Sequence, residues 1–254
     1  MARPFPVIHA QAAGTDLSDL AVFGERNSGT RLALALLRRN IPAFADAPGD
    51  RRGPHPFRYG WQHGFPMMLA APDHVLCLCV FRHPETWLRA MHAQPRHAAP
   101  HLKALPFEAF IRSEWQAIVD DRAFGPADDD PLALQELHWE RDPVTGKRFE
   151  TILALRTAKT AGFLSLPQRF KTCLLLRHED ITRDPEGFVA HIAETCGLSR
   201  APSFQPVSPS PDQSAEDTLS PSDYPPLTPR DRVYVWANLN AAQEQILGFE
   251  PLGD

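Results

Sequence analysis

The chain has 254 residues, 43% of them hydrophobic, and a formal net charge of −5 at neutral pH. That length allows one large or two small domains with a real core, and the acidic balance gives no bulk attraction to nucleic acid or to an anionic membrane surface. Four cysteines without CxxC or Cys/His metal spacing, no run long enough to span a bilayer and no basic-then-apolar leader predict a soluble protein of a reducing compartment, the cytoplasm.

Residues 1–18 read as an irregular arm. Asp19-Leu20-Ala21-Val22-Phe23 is then a short apolar run, Gly24-Glu25-Arg26-Asn27-Ser28-Gly29 a glycine-bounded turn, and Thr30 to Leu37 an apolar-periodic segment ending near Asn40 and Pro42. This is the pattern of a buried strand, a phosphate-cradling loop and a helix. N–H groups at a helix N-terminus lack partners and suit an anionic oxygen. Ser28 and Thr30 add hydroxyls, and Arg26 and Arg31 add positive charge. A nucleoside-triphosphate loop needs a lysine and a magnesium-binding hydroxyl directly after its second glycine. Thr30-Arg31 stands there instead, so the loop is expected to take a phosphate-like group without that metal, and a kinase is disfavoured.

Residues 45–60, with Arg51, Arg52 and Arg58, read as a solvent loop. Tyr59-Gly60-Trp61-Gln62-His63-Gly64-Phe65-Pro66 sets one imidazole between glycines, and imidazole has the right pKa to act as a base near neutrality. Val75 to Phe81 is seven apolar residues in a row, which suits a strand buried on both faces. Cys77 and Cys79 share one of those faces and should pack as small apolar residues. Arg82 stands where the strand emerges, and Pro84 opens a helix with Trp87, Leu88 and Met91 on its apolar face.

The three histidines of 92–101 read as a surface loop, 106–120 as an amphipathic helix, and Gly125 to Pro131 as an exposed acidic turn. Arg141 to Lys147 is a turn, and a helix with Ile152, Leu153 and Leu155 on its stripe follows, its Arg156 and Lys159 on a solvated face. Lys171 to Asp180 is another buried strand with a polar exit, where Glu179 and Asp180 are assigned no chemistry. Asp184-Pro185 caps the next helix, which stops at Gly197. The proline-rich stretch of about 200–228 reads as a surface excursion, and Thr228-Pro229 opens a final helix carrying Val235, Leu239, Ala242 and Ile246.

The run Gly24-Glu25-Arg26-Asn27-Ser28-Gly29-Thr30 resembles the loop of the sulfotransferases that use 3'-phosphoadenosine-5'-phosphosulfate (PAPS), especially a bacterial branch with G-E-R-x-S-G-T. Trp61-Gln62-His63-Gly64-Phe65 is similar to that branch's W-K-H-G-F. The strand ending in Arg82-His83-Pro84 resembles the family's 3'-phosphate motif, and Phe149 to Lys159 also looks like a segment of the branch. His178-Glu179-Asp180-Ile181 with Asp184-Pro185 resembles its Y-E-D-L and D-P, and the run ending Gly248-Phe249 its last helix.

This resemblance, from Val22 to Phe249, implies an α/β fold, a single domain with a P-loop-type parallel sheet flanked by helices. It implies transfer of a sulfuryl group from PAPS to a hydroxyl or amine, leaving adenosine 3',5'-bisphosphate, with no metal. Arg26, Asn27, Ser28, Gly29, Thr30 and Arg31 would cradle the phosphosulfate, Arg82 the 3'-phosphate, and His63 would be the base. Three positions depart from the pattern: Asn27 replaces the loop cation, Gln62 a lysine, and Ala90 a serine eight residues past Arg82. Arg26 or Arg31 is expected to supply the missing cation. The departures keep a non-catalytic nucleotide-binding or partner-binding member of the same fold as the alternative. The acceptor stays open among carbohydrates, lipid-linked sugars, phenols and peptides.

Overall fold

The computed structural model describes residues 4–47, 59–120, 130–207 and 225–253. The arginine-rich part of the 45–60 loop, most of the acidic turn and the middle of the proline-rich excursion lie outside the described residues.

Four strands form one sheet in the order β1-β4-β3-β2. β2 (Asp19–Phe23), β3 (Val75–Phe81) and β4 (Thr172–Arg177) are parallel, with Ala21 beside Cys77 and Cys77 beside Cys173. Their residues are almost all buried, as expected for strands covered on both faces. β1 (His9–Ala12) is an antiparallel edge on β4, so the sheet is mixed rather than parallel, and the N-terminal arm is not wholly irregular. Its four residues, alternately half-buried and exposed, are held by backbone pairing rather than by an apolar face, which is why composition hides it.

Helices cover both faces. α1 (Thr30–Asn40) and α7 (Pro185–Cys196) pack Leu36, Leu37, Phe188 and Ile192 against Leu20, Val22, Leu78 and Leu174. On the other face α5 (Ile152–Leu164) and α9 (Ala241–Leu247) bring Phe163 and Leu247 onto Phe23, Cys77, Cys79 and Cys173. The two cysteines of β3 are fully buried there, as small apolar residues. A third cluster joins α2 (Pro84–Ala93), α3 (Pro100–Lys103), α4 (Phe107–Phe110), α5 and α8 (Pro229–Asn238) through Trp87, Leu102, Phe110, Leu153 and Val235. The remaining helix, α6 (His178–Arg183), leaves β4 directly. No helix among the described residues is long and apolar enough to cross a membrane.

Three helical expectations change. The 106–120 segment is helical only through α4; beyond it Trp115 N–H bonds the Phe149 carbonyl, Ala117 bridges Ala98 and Ile118 bridges Glu136. Those long-range backbone bonds outweigh the local helical pattern. The final helix is two, because Asn240 breaks it and its side chain caps α9 through the Gln243 N–H. Arg156 and Lys159 are not solvated: each is 1% exposed.

Candidate functional site

The carboxyl ends of the three parallel strands deliver the loop after β2, Arg82 after β3 and His178 after β4 to one edge of the sheet, the usual ligand edge of such sheets. The loop runs Gly24 to Gly29. Asn27 (φ 60°) and Gly29 (φ 88°) take left-handed conformations around Ser28, a geometry that turns successive N–H groups to one side. Its carbonyls are held from behind. Glu25 O accepts from Ser28 N–H, Arg26 O from the Trp87 indole at 2.9 Å, and Asn27 O from Arg82 Nη1 at 2.9 Å. The N–H groups of Asn27, Gly29, Thr30 and Arg31 meet no acceptor among the described residues. They are the open donors of an α1 N-terminus that has no capping side chain and no acidic residue in its first turn.

Two buried polar side chains at this spot are also unmatched. Among the described residues Ser28 Oγ has no hydrogen-bond partner, and neither ring nitrogen of His178 has one. The His178 ring lies against Gly29 so closely that a Cβ there would collide with it. Burial, helped by the Arg82 charge, takes His178 down to about 3, so the ring is neutral. Leaving buried polar atoms unpaired is costly, and here they surround open backbone donors.

His63 meets the loop from the other side. Gly24 N–H bonds the Gln62 carbonyl at 3.0 Å, and His63 Nδ1 donates to the Gly24 carbonyl at 2.8 Å. That bond fixes the tautomer and leaves the Nε2 lone pair free to accept, which it does from Gln62 Nε2 at 2.7 Å. Burial pushes the His63 pKa well below its ordinary value, and the charges of Arg26 and Lys159 push the same way.

Of the two expected loop cations, Arg26 is spent elsewhere. Arg26 is buried, donates to Glu140 Oε2 at 2.6 Å and to the Arg96 carbonyl, and lies over the Trp115 ring. Asn27 Nδ2 turns away to the Ala90 carbonyl at 3.2 Å, Met91 Sδ and the Gln94 carbonyl. Two of the departures from the sulfotransferase pattern, positions 27 and 90, thus touch each other. Arg31 is half-buried on α1 with no polar partner among the described residues. Arg89, next to Ala90, is committed to the Pro226 carbonyl and the Phe107 ring.

No protein-family model matches this chain, and neither a curated protein nor a solved structure matches it. The site is therefore read from its own chemistry.

That chemistry includes a network no motif announced. Glu140, on the turn before α5, is 2% exposed and accepts from Arg26, Lys159 and the Trp115 indole. Burial would raise its pKa, but the two cations outweigh it and hold the carboxyl down at about 2. Arg156 mirrors this arrangement, shared between Glu25 Oε2 and Glu244 Oε1 at 2.9 Å each and donating to the Arg82 carbonyl. One signal for both cations was available: α5 is otherwise composed of apolar and small residues, so charges within it are carried inward. His97, expected on a surface loop, is 3% exposed and hydrogen-bonded to Asp120 through its backbone N–H.

Beside Trp61 opens a cleft of about 560 Å³ whose walls include Phe65, Met67, His138 and Trp139. Its volume suits a small organic molecule.

Proposed function

We propose that this protein is a sulfuryl transferase that uses PAPS without a metal and works on a hydroxyl-bearing acceptor entering beside Trp61. The observation that carries the reading is the cradle at the strand ends. Open N–H donors of residues 27–31 and the unpartnered Ser28 Oγ and His178 converge there, with an imidazole lone pair one hydrogen bond from the loop. The residues present fit a phosphosulfate, whose oxygens accept hydrogen bonds and whose binding would satisfy each of these donors.

The donor, when bound, supplies a sulfuryl group whose S–O bond to the 5'-phosphate breaks, the electron pair leaving with that phosphate, as the acceptor oxygen bonds to sulfur. His63 Nε2 takes the acceptor's proton once the acceptor hydroxyl displaces the Gln62 amide from that lone pair; the neutral form is secured by burial and its direction by the Gly24 carbonyl. The loop N–H groups face the oxygens on which negative charge grows, and donors fixed in advance are worth most in such a site. Arg82 braces the loop through the Asn27 carbonyl, and its guanidinium, whose fork matches two phosphate oxygens, is the group that would meet a 3'-phosphate.

Asn27 favours a second reading, a protein of this fold that binds nucleotide without turnover, because its side chain leaves the cradle for α2. One titration tests both against a kinase. Calorimetry without magnesium is expected to give micromolar binding of adenosine 3',5'-bisphosphate to the wild type, weakened about 100-fold or more in Arg82→Ala. Absence of wild-type binding, or binding of ATP that requires magnesium, overturns the PAPS reading. Transfer of radiolabelled sulfate from PAPS to an acceptor, lost in His63→Ala, separates the enzyme from the mere binder.

A further inference from the structure

A charged group that is transferred needs a cation near it, and positions 26 and 27 of the loop supply none. Arg26 is neutralised by Glu140, Asn27 has turned to α2, and Arg31 stands half-buried on the helix. The chain contains only four lysines, and one of them, Lys159, is 1% exposed. Its Nζ bonds Glu140 Oε1 and lies 5.6 Å from the centroid of the Trp61 ring. His63 stands edge-on to that same ring at 5.7 Å. Lys159 and the candidate base therefore flank one indole, and that indole also walls the cleft.

Lys159 shares one buried carboxylate with Arg26. Glu140 carries one negative charge, which Arg26 already balances, and the Trp115 indole adds a further hydrogen bond. Those two donors hold Oε2, and Lys159 holds Oε1. Around α5 the three cations Arg26, Arg156 and Lys159 face the three carboxylates Glu25, Glu140 and Glu244, and Glu25 acts on Lys159 as well as on Arg156. A dry ammonium is expensive unless an anion meets it. Lys159 is the member of this cluster seated against Trp61, on the side on which His63 works.

We propose that Lys159 is the cation that meets the sulfuryl oxygens of the donor held by the loop, entering from α5 in place of a cation within the loop. The inference rests on the sulfuryl-transfer reading above. Lys159 takes no part in the proton transfer. The acceptor proton goes to His63 Nε2, the new bond is acceptor oxygen to sulfur, and the electron pair of the broken S–O bond stays on the departing phosphate. Glu140 is the positioning residue that fixes Lys159.

A pair of ligands isolates this role, because PAPS has the sulfuryl group and adenosine 3',5'-bisphosphate does not. Calorimetric titration without magnesium is run on the wild type, Lys159→Gln and Lys159→Arg, each first checked for a cooperative thermal transition. Lys159→Gln is expected to keep affinity for the bisphosphate within about threefold while losing at least about tenfold for PAPS, with Lys159→Arg recovering most of the loss. Should Lys159→Gln fail to fold, Glu140→Gln/Lys159→Gln, which preserves the net charge of the cluster, takes its place. Equal effects on both ligands, or none on either, overturn the role of Lys159 and leave the PAPS reading intact. A wild type that binds neither ligand removes the reading and this inference together.

Discussion

In the sulfuryl-transfer reading, His63 serves as the base through two hydrogen bonds that assign its nitrogens opposite duties. Because a carbonyl can only accept, Nδ1 must carry the proton at Gly24, and Nε2 must present its lone pair. Nitrogen NMR of the free protein is expected to find that tautomer, with the ring titrating below the usual histidine value. An Nε2–H tautomer, or titration at an ordinary value, would remove His63 as the base. His63→Ala is expected to lower transfer about 100-fold or more while leaving bisphosphate binding within about threefold. At this scale the loop, Arg82 and His63 were legible because each is encoded locally: a glycine pair, a strand exit, an imidazole between glycines. Glu140, Lys159 and Arg156 were not. Their bonds join residues 19 positions apart for Lys159 with Glu140 and 131 apart for Arg156 with Glu25, and no local pattern carries such a pairing. His178 was read as part of a structural strand exit, and its contact with Gly29 is likewise visible only once β4 and the loop lie side by side.

The element that does the binding in this reading is the N-terminus of α1, and glycine sets its shape. Gly29 sits at φ 88°, and its missing side chain is where the His178 ring lies. Gly29→Ala must therefore both strain the backbone, at about 1–3 kcal/mol, and expel His178. It is expected to lower the thermal midpoint and to abolish bisphosphate binding, whereas Gly146→Ala is expected to show strain alone and unchanged binding. Gly146 has φ 69° with nothing near its Cβ position. Unchanged binding in Gly29→Ala would detach the α1 N-terminus from the site. Elements with their own burial signature were legible: β2, β3 and β4 are continuous apolar runs, and α1, α2 and α7 carry stripes, with proline near the start of the latter two. Those shaped by pairing were not. β1 is an edge, the stretch after α4 is bridged from afar, and the α8–α9 break depends on one asparagine that reads as helix on pattern alone.

Across the whole molecule, the buried ionisable groups of the site make stability depend on pH in a direction that follows from their shifts. His178 drops from an ordinary 6.5 to about 3 on folding. Between those values the unfolded chain binds a proton that the folded chain refuses, so stability is whole above 6.5 and is lost as pH falls toward 3, by up to about 1.4 kcal/mol per pH unit. His63 and His83 are also depressed by burial and act in the same direction. Glu25, whose carboxyl is raised by burial, opposes them, and the ion-paired carboxylate enters lower down. Glu140, held at about 2 from 4.5, keeps its ion pairs above 4.5 and gives up their contribution as pH falls toward 2. The thermal midpoint is therefore expected to begin falling near pH 6.5, well before Glu140 titrates. In His178→Leu the decline between 6.5 and 4.5 should be shallower, with the steeper fall below 4.5 retained, whereas Glu140→Gln should remove part of that lower fall. Superimposable profiles for the wild type and His178→Leu would mean that His178 is free to protonate in the folded state. The ring would then be solvated rather than sealed against Gly29, and the cradle at the strand ends would lose one of the unmatched groups that define it.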